Sequence, residues 1–211
     1  MESIILIGGG GHCISCIDVL RASNKFEIIG ILDTSDKVGT TIYGIEVIGT
    51  DDDITHLAGR YKNFLITVGQ IKSSEKREGI FNKVISYKGN LPVIISPYAY
   101  VSHTASIGEG TIIMHNCLIN AKAIIGSNCI INTGALIEHE AVIGDFCHIS
   151  TQAVVNGQAV VGSKSFIGSN SVVANNITLP EGIIVAAGAC ILESPERTGT
   201  YIGNPARKSL K

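Results

Sequence analysis

From Val101 onward an aliphatic residue returns at every sixth position: Ile107, Ile113, Ile119, Ile125, Ile131, Ile137, Ile143, Ile149, Val155, Val161, Ile167, Val173, Leu179, Val185 and Ile191. Four residues after each stands a small one, from Ala105, Thr111 and Cys117 through to Ala189, and only Ile177 and Ile183 break the rule. Glycine follows the aliphatic at Gly108, Gly126, Gly144 and Gly162, spaced by 18 residues, and again at Gly168. Neither an α-helix, with its period of 3.6, nor a pleated strand, with its period of 2, produces this pattern. A period of six that regroups at eighteen describes a three-sided coil whose aliphatic and small residues both point into a narrow prism. Coils stacked at about 4.8 Å make each side a parallel sheet, and the glycines are expected to relieve corners of positive φ.

The first 95 residues carry a different pattern. The run "IILI" meets "GGGGH" and then "CISCIDVLRAS", with apolar residues at helical spacing: strand, glycine turn, helix. "FEIIGILD" adds a strand ending at Asp33, "FLITVG" another ending at Gly69, and "EKREGIFNKVISY" a second helix. Alternating strands and helices predict a small, Rossmann-like parallel α/β domain over residues 1–95, followed by the repeat domain over 96–211. A ligand of such a sheet lies beyond the carboxyl ends of the strands, where Gly8, Gly11, His12, Asp33 and Gly69 would converge. The dinucleotide fingerprint fails, because Cys13 stands where the third glycine belongs. A phosphate-bearing single nucleotide fits the turn better; a turn that only permits tight packing is the competing reading.

Composition narrows the partners. The chain has a formal net charge of −2 and no Lys/Arg run, which argues against a nucleic-acid groove or an anionic membrane surface. No apolar stretch approaches the roughly 18 residues of a membrane span, and "MESIILIGGGGHC" lacks a basic leader, so a cytoplasmic protein with a small-molecule substrate is expected. Of the six cysteines, Cys117, Cys129 and Cys147 occupy the small position of the repeat and are expected to be buried. Cys13 and Cys16 form a C-x-x-C that would be redox-active only with a lowered thiol pKa.

Some polar residues serve no purpose inside a prism. Asn132 and His139 lie at neither inward position and should project outward. His56, His103 and His115 read as lone solvated histidines. His139 lies between Glu138 and Glu140, with His148 and Asn156-Gly157 on neighbouring coils. A histidine beside a carboxylate is what general-base catalysis needs, since the carboxylate fixes the tautomer and stabilises the imidazolium that forms. Zinc held by His139, His148 and a histidine of another chain is the alternative, although no ligand spacing supports it and no metal is expected.

The segments "NTGALIEHEAVIGDFCHIS", "NG", "VVGSKSFIGSNSVV" and "YIGNPARK", with "GGGGH" near the start, resemble the sugar acetyltransferases that include bacillosamine-pathway and perosamine N-acetyltransferases and sialic acid O-acetyltransferases. The likeness runs over nearly the whole chain. It implies that the repeat is a left-handed β-helix, that His139 is the general base and Glu140 its orienting partner, and that Asn132 stands beside the acceptor amine. By the same resemblance His148 lies near the acetyl group, Gly157 turns its N–H to the thioester oxygen, and Gly168, Ala187 and Arg207 line the coenzyme. Gly8, Gly11, His12, Asp33 and Gly69 would hold the nucleotide of a nucleotide sugar. Two departures stand out: Asp33-Thr34 where some relatives have two acids, and Ala186-Ala187 where relatives can carry glycines.

The expectation is therefore a homotrimeric acetyl-CoA-dependent N-acetyltransferase acting on a UDP- or GDP-linked amino-deoxysugar by direct attack. O-acetylation of a sugar hydroxyl, with the same base, is the rival chemistry. A non-catalytic nucleotide-sugar-binding or scaffold protein is the rival of another class.

Overall fold

The computed structural model describes residues 1–209, which fall into two compact units. The first comprises Met1–Gly69 and Glu75–Pro97; the second comprises Gln70–Ser74 and the chain from Tyr98 onward.

In the first unit the elements follow as β1 (Glu2–Ile7), α1 (Gly11–Ser23), β2 (Phe26–Leu32), β3 (Thr41–Ile42), β4 (Ile45–Gly49), α2 (Ile54–Ala58), β5 (Asn63–Ile66) and α3 (Glu75–Ser86). The sheet order is β3-β4-β2-β1-β5. β1 pairs in parallel with β2 and β5, and β2 with β4. Ile4 to Ile7 and Phe64 to Ile66 are all fully buried, as central strands covered on both faces must be. The expected parallel sheet is thus present, with one addition. β3 and β4 form an antiparallel hairpin at the edge. Its two-residue turn, Tyr43-Gly44, has φ of 49° and 79°, the doubly positive pair that matches strand twist. A strand of two residues has too few side chains to show a period, so the sequence pattern passed over it.

The second unit is a left-handed β-helix. Strands of two residues recur every six, and each pairs in parallel with the strand 18 residues on, as in Leu118↔Leu136 or Ile130↔His148. Three faces result. Face one carries Tyr100–Val101, Leu118–Ile119, Leu136–Ile137, Val154–Val155, Val172–Val173 and Cys190–Ile191; face two runs from Ser106–Ile107 to Thr178–Leu179. Face three runs from Ile112–Ile113 through Ile130–Ile131, His148–Ile149, Phe166–Ile167 and Ile184–Val185 to Thr200–Ile202, where Arg207–Lys208 closes it antiparallel. The second residue of each strand fills the prism; Ile119, Ile131, Ile137, Ile149, Val155 and Ile167 are all fully buried. Each such side chain withdrawn from water contributes roughly 1.5–3 kcal/mol, so the stack is held by its interior rather than by its short strands.

The role expected of the repeat glycines is corrected by the structure. Positive φ recurs every six residues at Gly110, Asn116, Lys122, Asn128, Gly134, Glu140, Phe146, Gln152, Gln158, Lys164, Asn170, Asn176, Gly182 and Gly188, three residues after each inward aliphatic. Most of these are not glycine. Gly108, Gly126, Gly144, Gly162 and Gly168 have ordinary φ; they are glycine because the next coil passes too close for a side chain. A Cβ on Gly144 would lie 2.6 Å from the Ser163 amide nitrogen, and one on Gly162 would lie 2.5 Å from that of Glu181.

The cysteines follow the repeat. Cys117, Cys129 and Cys147 are buried in the prism, where Cys129 and Cys147 donate to the carbonyls of Gly144 and Gly162. Burial pushes the Cys117 thiol up to about 11. Cys13 and Cys16 are buried too, and burial raises both thiols, the reverse of what redox or nucleophilic chemistry requires. No helix among the described residues is long and apolar enough to cross a membrane.

Candidate functional site

The glycine turn of the first unit is built by contact rather than by the dinucleotide pattern. Gly8 has φ +107°, and a Cβ there would lie 2.5 Å from Val68 Cγ2; a Cβ on Gly9 would lie 2.5 Å from Asp33 Oδ2. The close approach lets the Gly9 N–H donate to Asp33 Oδ2 at 3.0 Å. Thr34 N–H donates to Oδ1, and Lys37 Nζ donates to Oδ2, both at 2.8 Å. Burial alone would raise the Asp33 carboxyl, but the hydrogen bonds from Lys37, Thr34 and Gly9 outweigh it and hold it below the usual carboxylate range. Asp33 therefore stays ionised and ties β2 to the turn. Gly10, the N-cap of α1, has no side-chain cap, so the first N–H groups of that helix remain available to an anion.

A cavity of about 340 Å³ opens beside this turn, lined by Gly8, Asp33, Thr34, Ser35, Thr50, Asp51, Asp52, Val68 and Lys76. Gly8 and Asp33 come together in it, as read from the sequence. Gly11, His12 and Gly69 do not line it: Gly11 faces open space, the His12 ring meets Cys16 Sγ at 3.4 Å, and Gly69 is exposed. Thr50, Asp51 and Lys76 were missed. The signal was present in "GTDDDITHLA", where Thr50 and Asp53 close a capping box ahead of α2. Burial raises the Asp51 carboxyl, with Lys76 and Lys83 pulling against it.

In the β-helix the expected residues occupy two corners. Between faces one and two stand Glu138, His139 and Glu140, with Gly157 one coil further on. The His139 side chain is 53% exposed, and its Nδ1 lies 3.5 Å from Glu140 Oε2. Glu140 also accepts from Gln158 Nε2 at 3.1 Å. Glu138 is differently employed: its Oε2 takes the backbone N–H of His139 at 3.3 Å and the amide of Asn120 at 2.7 Å. Of the two glutamates, Glu140 addresses the imidazole and Glu138 pins the backbone. The other edge of the ring overlies Gly157, where a Cβ would lie 2.7 Å from His139 Nε2 and Cε1. Gly157 is buried, and its N–H carries no hydrogen bond among the described residues. The base edge thus lies against Gly157, whose N–H has no partner among the described residues.

Between faces three and one stand Asn132, Gly168 and Ala187, with His148 beside them on face three. Asn132 is half-buried outside the prism; its Nδ2 meets His148 Nε2 at 3.2 Å while its Oδ1 accepts from Thr133 N–H. His148 is buried against the edge of Phe166, with ring centroids 5.2 Å apart. Its Nδ1 lies 2.6 Å from the carbonyl oxygen of Gln70. The Gln70 side chain donates to the Phe146 carbonyl at 2.6 Å. Gln70 Oε1 is buried with no hydrogen-bond partner among the described residues, an arrangement that costs about 1–3 kcal/mol. Gln70 had no sequence signal, since its partners lie 76 and 78 residues away. Gly168 underlies Ala187, whose amide nitrogen would lie 2.5 Å from a Cβ at 168. Arg207 lies apart, in a cleft of about 320 Å³ with Ile191, Tyr201 and Pro205. Within one chain the Asn132 corner and the His139 corner are separated by the whole of face one, so the gathering of both on adjoining coils that the sequence suggested does not occur. No cluster of three potential metal ligands exists among the described residues.

Comparison with known proteins adds to this geometry. Residues 3–84 match the PglD N-terminal domain. Over 117 residues, 54% of the chain, it is 34% identical to the UDP-N-acetylbacillosamine N-acetyltransferase of Bacillus subtilis; the match spans about half of that relative, 52%. A histidine-to-asparagine mutant of the perosamine N-acetyltransferase of Caulobacter crescentus, solved with CoA and GDP-perosamine, is similar at a TM-score of 0.93 and 28% identity, covering 100% of this chain and 98% of that one. The acetyltransferase domain of PglB from Neisseria gonorrhoeae, solved with acetyl coenzyme A, is similar at a TM-score of 0.92 and 29% identity, covering 99% of each chain. The chain thus carries a PglD N-terminal domain ahead of a left-handed β-helix, and along its full length it is similar to these N-acetyltransferase structures.

Proposed function

We propose that the protein transfers an acetyl group from acetyl-CoA to the amino group of a UDP- or GDP-linked amino-deoxysugar. The observation that carries this reading is the His139 ring, with Glu140 at Nδ1 and its Nε2 edge against Gly157, whose N–H has no partner among the described residues. The sugar amine nitrogen attacks the thioester carbonyl carbon; the C–N bond forms, the C–S bond breaks, and sulfur leaves as the thiolate of coenzyme A. His139 Nε2 takes the proton that the amine must lose, and Glu140 stabilises the resulting imidazolium. Gly157 N–H donates to the oxygen on which negative charge develops, a role typically worth roughly 3 kcal/mol. No enzyme nucleophile is involved: the Cys147 thiol is buried in the prism, and its hydrogen bond with Cys129 and its burial raise it well above the usual range. The relatives solved with CoA and with a nucleotide-linked amino sugar support both substrates.

The nucleotide belongs to the cavity of the first unit, with its phosphates at the open N-terminus of α1. The coenzyme belongs to the corner of Asn132, Gly168 and Ala187, beside His148, with Arg207 toward its far end. Because that corner and the His139 corner flank face one, one copy's coenzyme corner and another copy's base complete a site together, and we assign a homotrimer on that ground. The outward row of face one is apolar throughout, Tyr100, Leu118, Leu136, Val154, Val172 and Cys190, as a surface covered by another copy requires. The six free thiols match the reducing cytoplasm, where we place the protein.

The test is incubation with acetyl-CoA and a panel of UDP- and GDP-linked amino sugars, following free thiol and the acetylated product. The proposal expects acetyl transfer to a sugar amine; transfer only to hydroxyls, or none, contradicts it. Light scattering tests the assembly, and a monomer with full activity overturns it.

A further inference from the structure

We propose that Gln70 is a positioning residue of the acetyl-transfer site, holding His148 as the neutral Nδ1–H tautomer so that its Nε2 accepts from Asn132. The inference rests on the proposed acetyltransferase function for its kinetic arm but not for its spectroscopic one. A carbonyl oxygen can only accept, so the 2.6 Å contact between Gln70 O and His148 Nδ1 places the ring proton on Nδ1. Nε2 then offers a lone pair, and the amide of Asn132 donates to it at 3.2 Å. Asn132 is held in that sense because its Oδ1 is already taken by the Thr133 N–H at 2.8 Å. Each link removes the freedom of the next.

The Gln70 carbonyl is itself fixed from the side-chain end. Its Nε2 donates to the carbonyl of Phe146, two residues before His148, so side chain and main chain of Gln70 clasp the same stretch of the coil. The clasp leaves Gln70 Oε1 buried without a partner among the described residues, which a purely structural residue would have little reason to keep. Phe146 accepts this bond from a corner position with φ 54°, in the left-handed region that bulky residues avoid. His148 has both ring nitrogens occupied in this arrangement. It therefore presents a fixed ring, backed edge-on by Phe166, to the corner assigned to the coenzyme.

The test is long-range proton–nitrogen NMR on protein labelled with 15N-histidine, together with kinetics of Gln70→Ala and Gln70→Glu. The wild type is expected to show His148 protonated on Nδ1 only. Both variants should mix the tautomers and lower kcat/KM for acetyl-CoA about tenfold, the equivalent of one hydrogen bond lost from the arrangement, with UDP and GDP binding unchanged. An Nε2-protonated His148 in the wild type overturns the proposal, as do variants that keep the single Nδ1–H tautomer or wild-type constants for acetyl-CoA. If neither variant folds, the wild-type tautomer decides. A wild type that holds the Nδ1–H tautomer yet transfers no acetyl group to any sugar would instead refute the proposed function and leave the assignment of Gln70 and His148 in place.

Discussion

Adding one carbon at Gly157 should stop the chemistry while sparing the fold. Gly157 has no positive φ, so alanine meets no backbone strain. Its Cβ would lie 2.7 Å from His139 Cε1 and Nε2 and 3.3 Å from Cδ2, with no backbone atom among its nearest neighbours. The His139 side chain is 53% exposed, so the ring can swing outward, and relief takes place at the base rather than in the coil stack. The stability loss should stay under about 1 kcal/mol, a change of at most about 2–4 °C in Tm for a chain of this size. Activity responds differently. The displaced ring loses its place beside Glu140 and against Gly157, and it is driven into the space beside the proposed oxyanion donor. Loss of a general base typically removes 10² to 10⁴ in rate, and loss of an oxyanion donor about 10² to 10³. The two act in the same step and do not add, so Gly157→Ala should lower kcat by at least about 10², with melting by circular dichroism almost superimposable on wild type. Turnover within a few-fold of wild type would refute the reasoning, and so would a collapse in Tm, which would make Gly157 a stacking glycine like Gly168.

Other outcomes follow from the same geometry. Gly144→Ala, whose Cβ would lie 2.6 Å from backbone of the next coil, should cost about 1–3 kcal/mol, whereas Gly188→Ala, with φ +68° and no atom within 4 Å, should cost only about 1–2 kcal/mol; thermal melts ranking them the other way would undo the stacking explanation. Asp33→Ala should raise the KM for the nucleotide sugar about tenfold or more and leave that for acetyl-CoA unchanged, and parallel rises in both would separate Asp33 from the nucleotide. Because the folded state lowers the Asp33 pKa, its carboxylate stabilises the fold at neutral pH, and that contribution should fade as pH falls below about 4; a stability difference between wild type and Asp33→Asn that persists in stronger acid would contradict the sign.

The β-helix was legible because its interior repeats. Ile119, Ile137 and Val155 face the same space on successive coils, and a rule that holds at every coil outweighs any single residue's preference. What the repeat could not show is how a period of six is divided around a triangle. Asn132 and His139 are seven residues apart, close enough to suggest one site, yet seven residues carry the chain past a whole face. The glycines misled for a related reason: a glycine after every third aliphatic suggests a turn, but at Gly126 and Gly144 the constraint comes from a coil 18 residues away. Positive φ falls instead on Lys122, Glu140 and Gln158, which carry no glycine to betray it. In the first unit Gly8 and Asp33 were legible from the strand-turn-helix pattern. Lys76 and Gln70 were not, since each acts through contacts distant in sequence, whereas Asp51 stood in the readable capping segment "GTDDDITHLA".

The central claim, that His139 is the base for acetyl transfer, is tested most directly by His139→Ala assayed with acetyl-CoA and the preferred nucleotide-linked amino sugar. His139 lies outside the prism, so the variant should keep the wild-type Tm, and the KM values should move little. kcat should fall by about 10² to 10⁴, with Glu140→Ala falling less because the base remains. A His139→Ala protein that turns over at near the wild-type rate on that substrate would contradict the account.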